Sequence, residues 1–199
     1  MATNLIPHST ENQNRKISGV VLLLAGFSGF LASFVLTIDK LKILKDSNYK
    51  PSCNINAVLN CKSVMLSKQA EVFGFPNSLI GIGAFAMMLV VAVALLMGIN
   101  FPKLFWQLLI PGPLFAVAFS HYLAYHTTFE IGALCPYCMV AWVASLLTLA
   151  VAIRELLGFA IRSTTDDSRK FALETIAKWM IPLHILWAAI LIAGAYLGI

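Results

Sequence analysis

The chain has 199 residues, of which 59% are hydrophobic and only 12% charged, with a formal charge of +5 and a mean hydropathy of +0.83. Soluble domains carry roughly 25% charged residues, so this composition excludes an ordinary soluble globule and points to one helical membrane domain. The surplus Lys and Arg flank apolar runs, where they set topology and meet anionic lipid headgroups; nothing resembles a nucleic-acid module.

An uncharged run of about 20 residues crosses a bilayer as a helix, and five candidate spans follow one another here. Met1–Arg15 is polar, and the run after it is long enough to stay as a span rather than act as a removable leader. The first span is Ile17–Ile38, and Asp39–Glu71 is the one sizeable polar loop. Val72–Pro102 has room for a re-entrant or surface turn before the second span. Leu104–Phe129 is the third, kinked by Pro111-Gly112-Pro113, which a bundle tolerates. Ile131–Ile153 is the fourth, Arg154–Lys178 a polar connector, and Trp179–Ile199 the fifth. The expected division is a cytoplasmic tail at 1–16, a catalytic domain at 17–157 with an extracytoplasmic redox loop at 39–75, and a cytoplasmic connector with the fifth helix at 158–199.

An odd number of spans puts the termini on opposite sides. With the N-terminus in the cytoplasm, Arg15, Lys16, Lys103, Arg154, Arg162, Arg169, Lys170 and Lys178 lie inside, while Lys40, Lys42, Lys45, Lys50, Lys62 and Lys68 lie outside. The bias toward the inside is slight. Cysteine placement agrees with it, because all four cysteines then face the side where disulfides persist.

Those cysteines carry the chemistry. In Cys135-Pro-Tyr-Cys138, Gly132 and Pro136 bracket a helix start, with proline suited to the first helical position. Cys135 then sits near the N-cap and Cys138 one turn in, on the same face. Unpaired N–H groups at that end stabilise a thiolate, and a low-pKa thiol is both nucleophile and leaving group in disulfide exchange. Cys135, nearer the helix end, is expected to be the more exposed of the two. A zinc site is disfavoured because the upstream pair, Cys53 and Cys61, is spaced C-x7-C with no histidine close in sequence. Haem attachment needs a histidine where Met139 stands. A static disulfide is the plainer alternative for either pair; the company of the other pair favours a loop pair that shuttles electrons to a fixed pair at the membrane.

Together these features resemble the vitamin K epoxide reductase family in its bacterial, quinone-linked form. The matching stretches are Cys53–Ser67, then Phe73-Gly74-Phe75-Pro76-Asn77-Ser78 with Gly81, then Gly132–Val140, within residues 17–157. The chain departs from the family at Gln69, where an aromatic residue is common. The resemblance implies an all-α membrane protein: a four-helix transmembrane bundle around a quinone, capped by the extracytoplasmic loop and its half-helix, plus a fifth transmembrane helix. It also implies that a separate thioredoxin-like extracytoplasmic protein supplies electrons, since no such domain follows the fifth helix here. The quinone would be menaquinone, ubiquinone or a similar molecule, and the location a bacterial cytoplasmic membrane.

On that reading the partner attacks the loop disulfide at Cys53, Cys61 attacks Cys135, and Cys138 is left as the thiolate facing the quinone. Asn77 matches a position whose amide donates to a quinone oxygen, or it caps a helix. Trp142, one turn beyond Cys138, faces the ring or packs. Ser67 contacts the quinone site or steadies the loop helix. Phe73 and Phe75 read as interfacial packing or a pocket lid. His121, Tyr122, Tyr125 and His126 form either an interfacial aromatic belt or a proton relay, with Tyr122 and His126 on one face. The DsbB type of quinone-linked enzyme carries its C-x-x-C before the loop pair, the reverse of the order here. A non-enzymatic membrane scaffold with two structural disulfides is the alternative from another class.

Overall fold

The structure, a computed structural model, describes residues 8–163 and 166–197. The first helix, α1 (His8–Lys45), is followed by the short α2 (Cys61–Met65) and a 3-10 turn at Lys68–Glu71. Then come α3 (Ser78–Leu96), α4 (Lys103–Leu109), α5 (Pro111–His126), a π-helical turn at Thr127–Ile131, α6 (Pro136–Ser163) and α7 (Asp167–Leu197). Four segments are long and apolar enough to cross a membrane: Arg15–Lys45, Ser78–Leu96, Lys103–Ile131 and Pro136–Ala160. The protein is an all-α membrane bundle. In α7 the apolar stretch is Ile185–Gly194, shorter than a crossing run among the described residues.

Helix α1 is the centre post, packed against α3 and α6. Without a hydrophobic force between helices in lipid, close backbone approach is what holds them. Small residues on α1 provide it: Gly26 faces Leu89, and Gly29 faces the ring of Phe85. Across the same interface Gly81 of α3 leaves room for the Ser33 hydroxyl. Thr37 Oγ1 donates to Ser33 O at 2.9 Å and lies 2.7 Å from Ser78 Oγ, so both hydroxyls are satisfied where α3 begins.

Pro111 and Pro113 lack the N–H groups a continuous helix needs, and the third span breaks there into α4 and α5. Ile110 keeps helical dihedrals, and Leu114 N donates to Ile110 O at 3.0 Å, so the chain bends without unwinding. At the opposite end of the molecule from the polar loop, Leu22, Leu95, Trp106, Val151 and Ala152 form a buried apolar cluster. Beyond it, Ser18 Oγ donates to Glu155 Oε1 at 2.6 Å.

Three sequence expectations are revised. The helix expected to end at Ile38 continues to Lys45, so Asp39 and Lys40 are helical rather than loop residues. Both charges are tolerated because both find partners, as described below, and Lys42 and Lys45 in the last turn complement the helix dipole. The fourth helix starts at Pro136, not Ile131, because the π-turn and Gly132, at φ +67°, carry the chain round first. The connector expected at Arg154–Lys178 is helical on both sides of residues 164–165, which lie outside the described set, as do residues 1–7 of the expected tail.

A capped cavity beside two cysteine pairs

The polar loop folds over one end of the bundle and is fastened there by its own backbone. Leu59 and Leu134 form a parallel β-bridge, in which Leu134 N donates to Val58 O at 2.6 Å and Asn60 N to Leu134 O at 3.0 Å. The next residues on the two strands are Asn60 and Cys135, then Cys61 and Pro136. Cys61 and Cys135 are therefore diagonal neighbours by register. Asn60 then caps α2 by accepting from Ser63 N at 3.2 Å. Asn56 Oδ1 accepts from Leu59 N and Val58 N, closing the turn that leads into the bridge.

Cys53 and Cys61 are joined in a disulfide with Cα atoms 5.7 Å apart, and Cys135 and Cys138 are free thiols. Cys53, Cys61 and Cys135 lie in one buried cluster with Leu36, Ile43, Val64 and Met65, and Cys138 packs against it. Cys135 takes the N-cap position of α6: its Sγ accepts from Cys138 N at 3.3 Å, and its carbonyl from Met139 N at 3.1 Å. The exposure order is the reverse of that expected, with Cys135 only 2% exposed under the loop and Cys138 the more open. Both sulfurs border the cavity. The Cys135 thiol is held below its ordinary pKa, first by the hydrogen bond from the Cys138 thiol and then by backbone donors at the helix start, against burial and the Asp39 charge.

The cavity has a volume of about 520 Å³. Its walls are mostly apolar, from α3, α5, α6 and α7, and its roof is the loop. Of the residues singled out from sequence, Ser67, Asn77, Cys135, Cys138 and Trp142 border it, whereas Cys53 and Cys61 do not. Ser67 Oγ donates to Val64 O at 2.7 Å and so ties off the end of α2. Asn77 Nδ2 donates to Gln69 O at 2.7 Å, while Asn77 Oδ1 is buried with no hydrogen-bond partner. Trp142 Nε1 is likewise buried and unpartnered. These two orphans face the same cavity with opposite polarity, one acceptor and one donor, among the described residues.

Lys40 also borders the cavity, and sequence reading missed it. Its Nζ donates to Met65 O at 2.7 Å and lies 2.8 Å from Glu71 Oε1, strapping the loop to α1. Gln69, the residue that departs from the family pattern, makes a second strap, with Nε2 donating to Glu130 Oε2 at 3.2 Å. Phe73 packs on Phe119 of α5 at 5.7 Å and on Phe75 at 6.3 Å, an aromatic rim at the edge of the cap. The expected Tyr122–His126 pair is present at 4.4 Å, with Tyr122 and Tyr125 exposed as a belt requires. His121 sits behind the cavity wall, with Nδ1 2.8 Å from Val117 O and its ring edge-on to Trp142 at 4.9 Å.

The model of the vitamin K epoxide reductase family matches residues 20–153, which take in two of the four membrane-crossing helices whole, most of the other two, and both cysteine pairs. The chain belongs to that family. It is therefore a membrane oxidoreductase by kinship, and it carries a loop disulfide beside a free C-x-x-C. A comparison with curated proteins returned no match. Among the described residues no group of three or more His, Cys, Asp or Glu side chains is arranged to hold a metal ion.

Proposed function

We propose that the protein reoxidises a separate thioredoxin-like partner and passes the electrons to a membrane quinone, supporting disulfide formation in exported proteins. The observation that carries this reading is the placement of two cysteine pairs in one buried cluster, one beneath the loop surface and one on the wall of an apolar cavity. A static scaffold has no need of a cavity beside its cysteines; here the second pair lines one.

The residues present fit a quinone. The volume suits a ring with the start of an apolar tail. Trp142 Nε1–H has a hydrogen bond to give to a ring oxygen, and Asn77 Oδ1 has one to accept from a ring hydroxyl, so both orphans gain a partner. The quinone, once bound, accepts an electron pair and protons. Asn77 Nδ2 gives one N–H to Gln69 O and keeps a second, so the donor favoured from sequence stands beside the unpartnered oxygen.

The chain's own part runs as thiol exchange. Cys53 is 4% exposed, in a turn between exposed Ser52 and half-buried Asn54, and an external thiolate reaches its sulfur as that turn opens. Attack there joins the partner to Cys53 and frees Cys61, and the partner's second thiol then releases Cys53 and leaves the partner oxidised. Cys61, diagonal to Cys135 across the bridge, attacks it when the membrane pair is oxidised, and Cys53 resolves that bond. The loop disulfide reforms and the C-x-x-C is left reduced, which is the redox state described here. Cys138 then faces the cavity, and the Cys135 thiolate closes the disulfide onto it as electrons leave. The active end faces the extracytoplasmic side of a bacterial cytoplasmic membrane, with α7 as a fifth crossing helix.

Anaerobic mixing of the reduced protein with a soluble quinone tests the reading. Quinol absorbance should appear with one disulfide formed per quinol, and Cys138→Ala should abolish it while the loop pair still exchanges with a thioredoxin-like protein. Full turnover in that variant, or none in the parent, refutes the assignment.

A further inference from the structure

The reaction proposed above leaves one buried ionisable group unused. Asp39 is 4% exposed, inside the last turns of α1. Its Oδ1 accepts a hydrogen bond from the Tyr49 hydroxyl at 2.8 Å, and its Oδ2 is buried with no partner among the described residues. A carboxylate oxygen hidden from water without a donor is costly to keep unless it has work to do. Its position suggests the work. Leu36 and Ile43 lie three residues before and four after it, on the same face of α1, and both belong to the buried cluster that holds Cys53, Cys61 and Cys135. Tyr49 packs on that cluster too.

Exchange in such a place has a proton problem. The thiolate is the nucleophile, and an apolar surround of Leu36, Ile43, Val64 and Met65 holds a thiol in its neutral form. Cys61, with no exposed surface, has no water to take its proton.

We propose that Asp39 is the internal proton acceptor for electron transfer from the loop pair to the membrane pair. This rests on the exchange path of the preceding section. Asp39 takes the proton of the Cys61 thiol. The Cys61 thiolate forms a bond to Cys135 and breaks the Cys135–Cys138 bond, leaving Cys138 as thiolate. Cys53 then attacks Cys61, releasing Cys135 and giving its own proton to water. The proton on Asp39 passes to the newly reduced pair, which holds it between the two sulfurs, as the hydrogen-bonded Cys135 and Cys138 do here. The loop pair is oxidised, the membrane pair is reduced, and the carboxylate is restored. The other titratable or charged groups around this site are Tyr49 and Lys42, Lys40 with its Nζ on Met65 O and Glu71, Lys62 with its Nζ on Tyr49 O, Tyr137 of α6, and the four cysteines.

The charge of Asp39 is felt at Cys135, where it opposes thiolate formation. That gives the test two readouts of opposite sign. The full chain in lipid discs without quinone, with both pairs oxidised, receives a pulse of dithiothreitol. Acid quenching, differential alkylation and mass spectrometry then follow the arrival of electrons at Cys135 and Cys138 between about pH 5 and pH 9, a range that brackets ordinary carboxyl and thiol titrations.

In Asp39→Asn the transfer at neutral pH should slow by about 10²-fold, the lower end of what a positioned proton acceptor contributes. Its rate should then climb steadily with pH as hydroxide replaces the carboxylate. Alkylation of Cys135 in the reduced protein should become faster, since a negative neighbour is gone. Unchanged or faster transfer in Asp39→Asn overturns the proposal, because a purely structural or background charge predicts one or the other. Should Asp39→Asn not fold, Asp39→Glu and Asp39→Ser replace it: transfer should persist with the carboxylate and slow by about 10²-fold without it, and equal rates in the two variants overturn the proposal. Absence of any transfer in the parent protein refutes the exchange path itself, and this inference with it.

Discussion

Replacing Glu71 with Gln probes how firmly the loop is strapped over the cavity. The pair it makes with Lys40 is asymmetric: the lysine side chain is 8% exposed and the glutamate 39%. A fully exposed pair is worth about 0–1 kcal/mol, whereas removing one partner of a fully buried pair costs about 3–5 kcal/mol. With one end in water, solvent screens the loss, and an intermediate cost of about 1–2 kcal/mol is expected for Glu71→Gln. That cost falls on the closed cap, so the open fraction should rise by about 5- to 30-fold. Lys40→Met removes the ammonium itself and strips Met65 O of its donor, a charged hydrogen bond worth about 1.5–3 kcal/mol. Adding Glu71→Gln to Lys40→Met should then change little, since no buried cation remains to be stranded. Hydrogen–deuterium exchange reads this directly at the amides of Leu66, Ser67 and Ala70, which are bonded within the loop. Equal exchange in parent and both single variants, or additive effects in the double variant, refutes the idea that this ion pair holds the cap.

Trapping the hand-over is a second test: Cys53→Ala with Cys138→Ala leaves Cys61 and Cys135 as the available partners, and non-reducing digestion should recover their linked peptide. The register of the Leu59–Leu134 bridge sets them within the roughly 7 Å Cα separation a disulfide spans, and two free thiols under oxidising conditions contradict the path. A pH dependence follows from the lowered Cys135 pKa. The thiolate persists to lower pH while Cys138 donates to it, so in Cys138→Ala the alkylation midpoint of Cys135 should move upward; an unmoved or lower midpoint counts against the hydrogen bond as its main cause. Helix packing gives a matched pair: a methyl at Gly81 runs into Ser33 Oγ and should cost about 1–3 kcal/mol in thermal unfolding, while one at Gly83 meets nothing within 4 Å and should be neutral or better.

Much of this architecture is legible in the sequence, for physical reasons. Long uncharged runs have one way to exist in a bilayer, so the four spans emerge from composition alone, and the C-x-x-C announces its helix start through Gly132 and Pro136. Asn77, Ser67 and Trp142 were found by likeness and stand on the cavity wall. Three features were not legible. Asp39 and Lys40 read as the end of a span because charges usually end one; their burial depends on Tyr49 and Glu71, which only the folded loop brings near. The Leu59–Leu134 bridge is a single backbone pairing and leaves no alternating pattern to detect. The exposure order of Cys135 and Cys138 is set by the cap lying over the helix end, a tertiary fact that helix position alone inverts.

The apolar cluster beneath the cavity also bears on energy conversion. Thr148 is a cavity wall residue, Val151 and Ala152 one turn further along α6 belong to that cluster, and Glu155 lies a turn beyond them. The packed layer therefore separates the thiols from the nearest carboxylate on the far face. On the proposed path electrons reach the cavity through the loop, and Lys40, Glu71 and Asp39 stand at that same end. On the proposed reaction, electrons and the protons that accompany them are drawn from one face, and no net charge crosses the bilayer. Turnover would then neither generate nor sense the transmembrane voltage, leaving its rate to the supply of oxidised quinone and reduced partner.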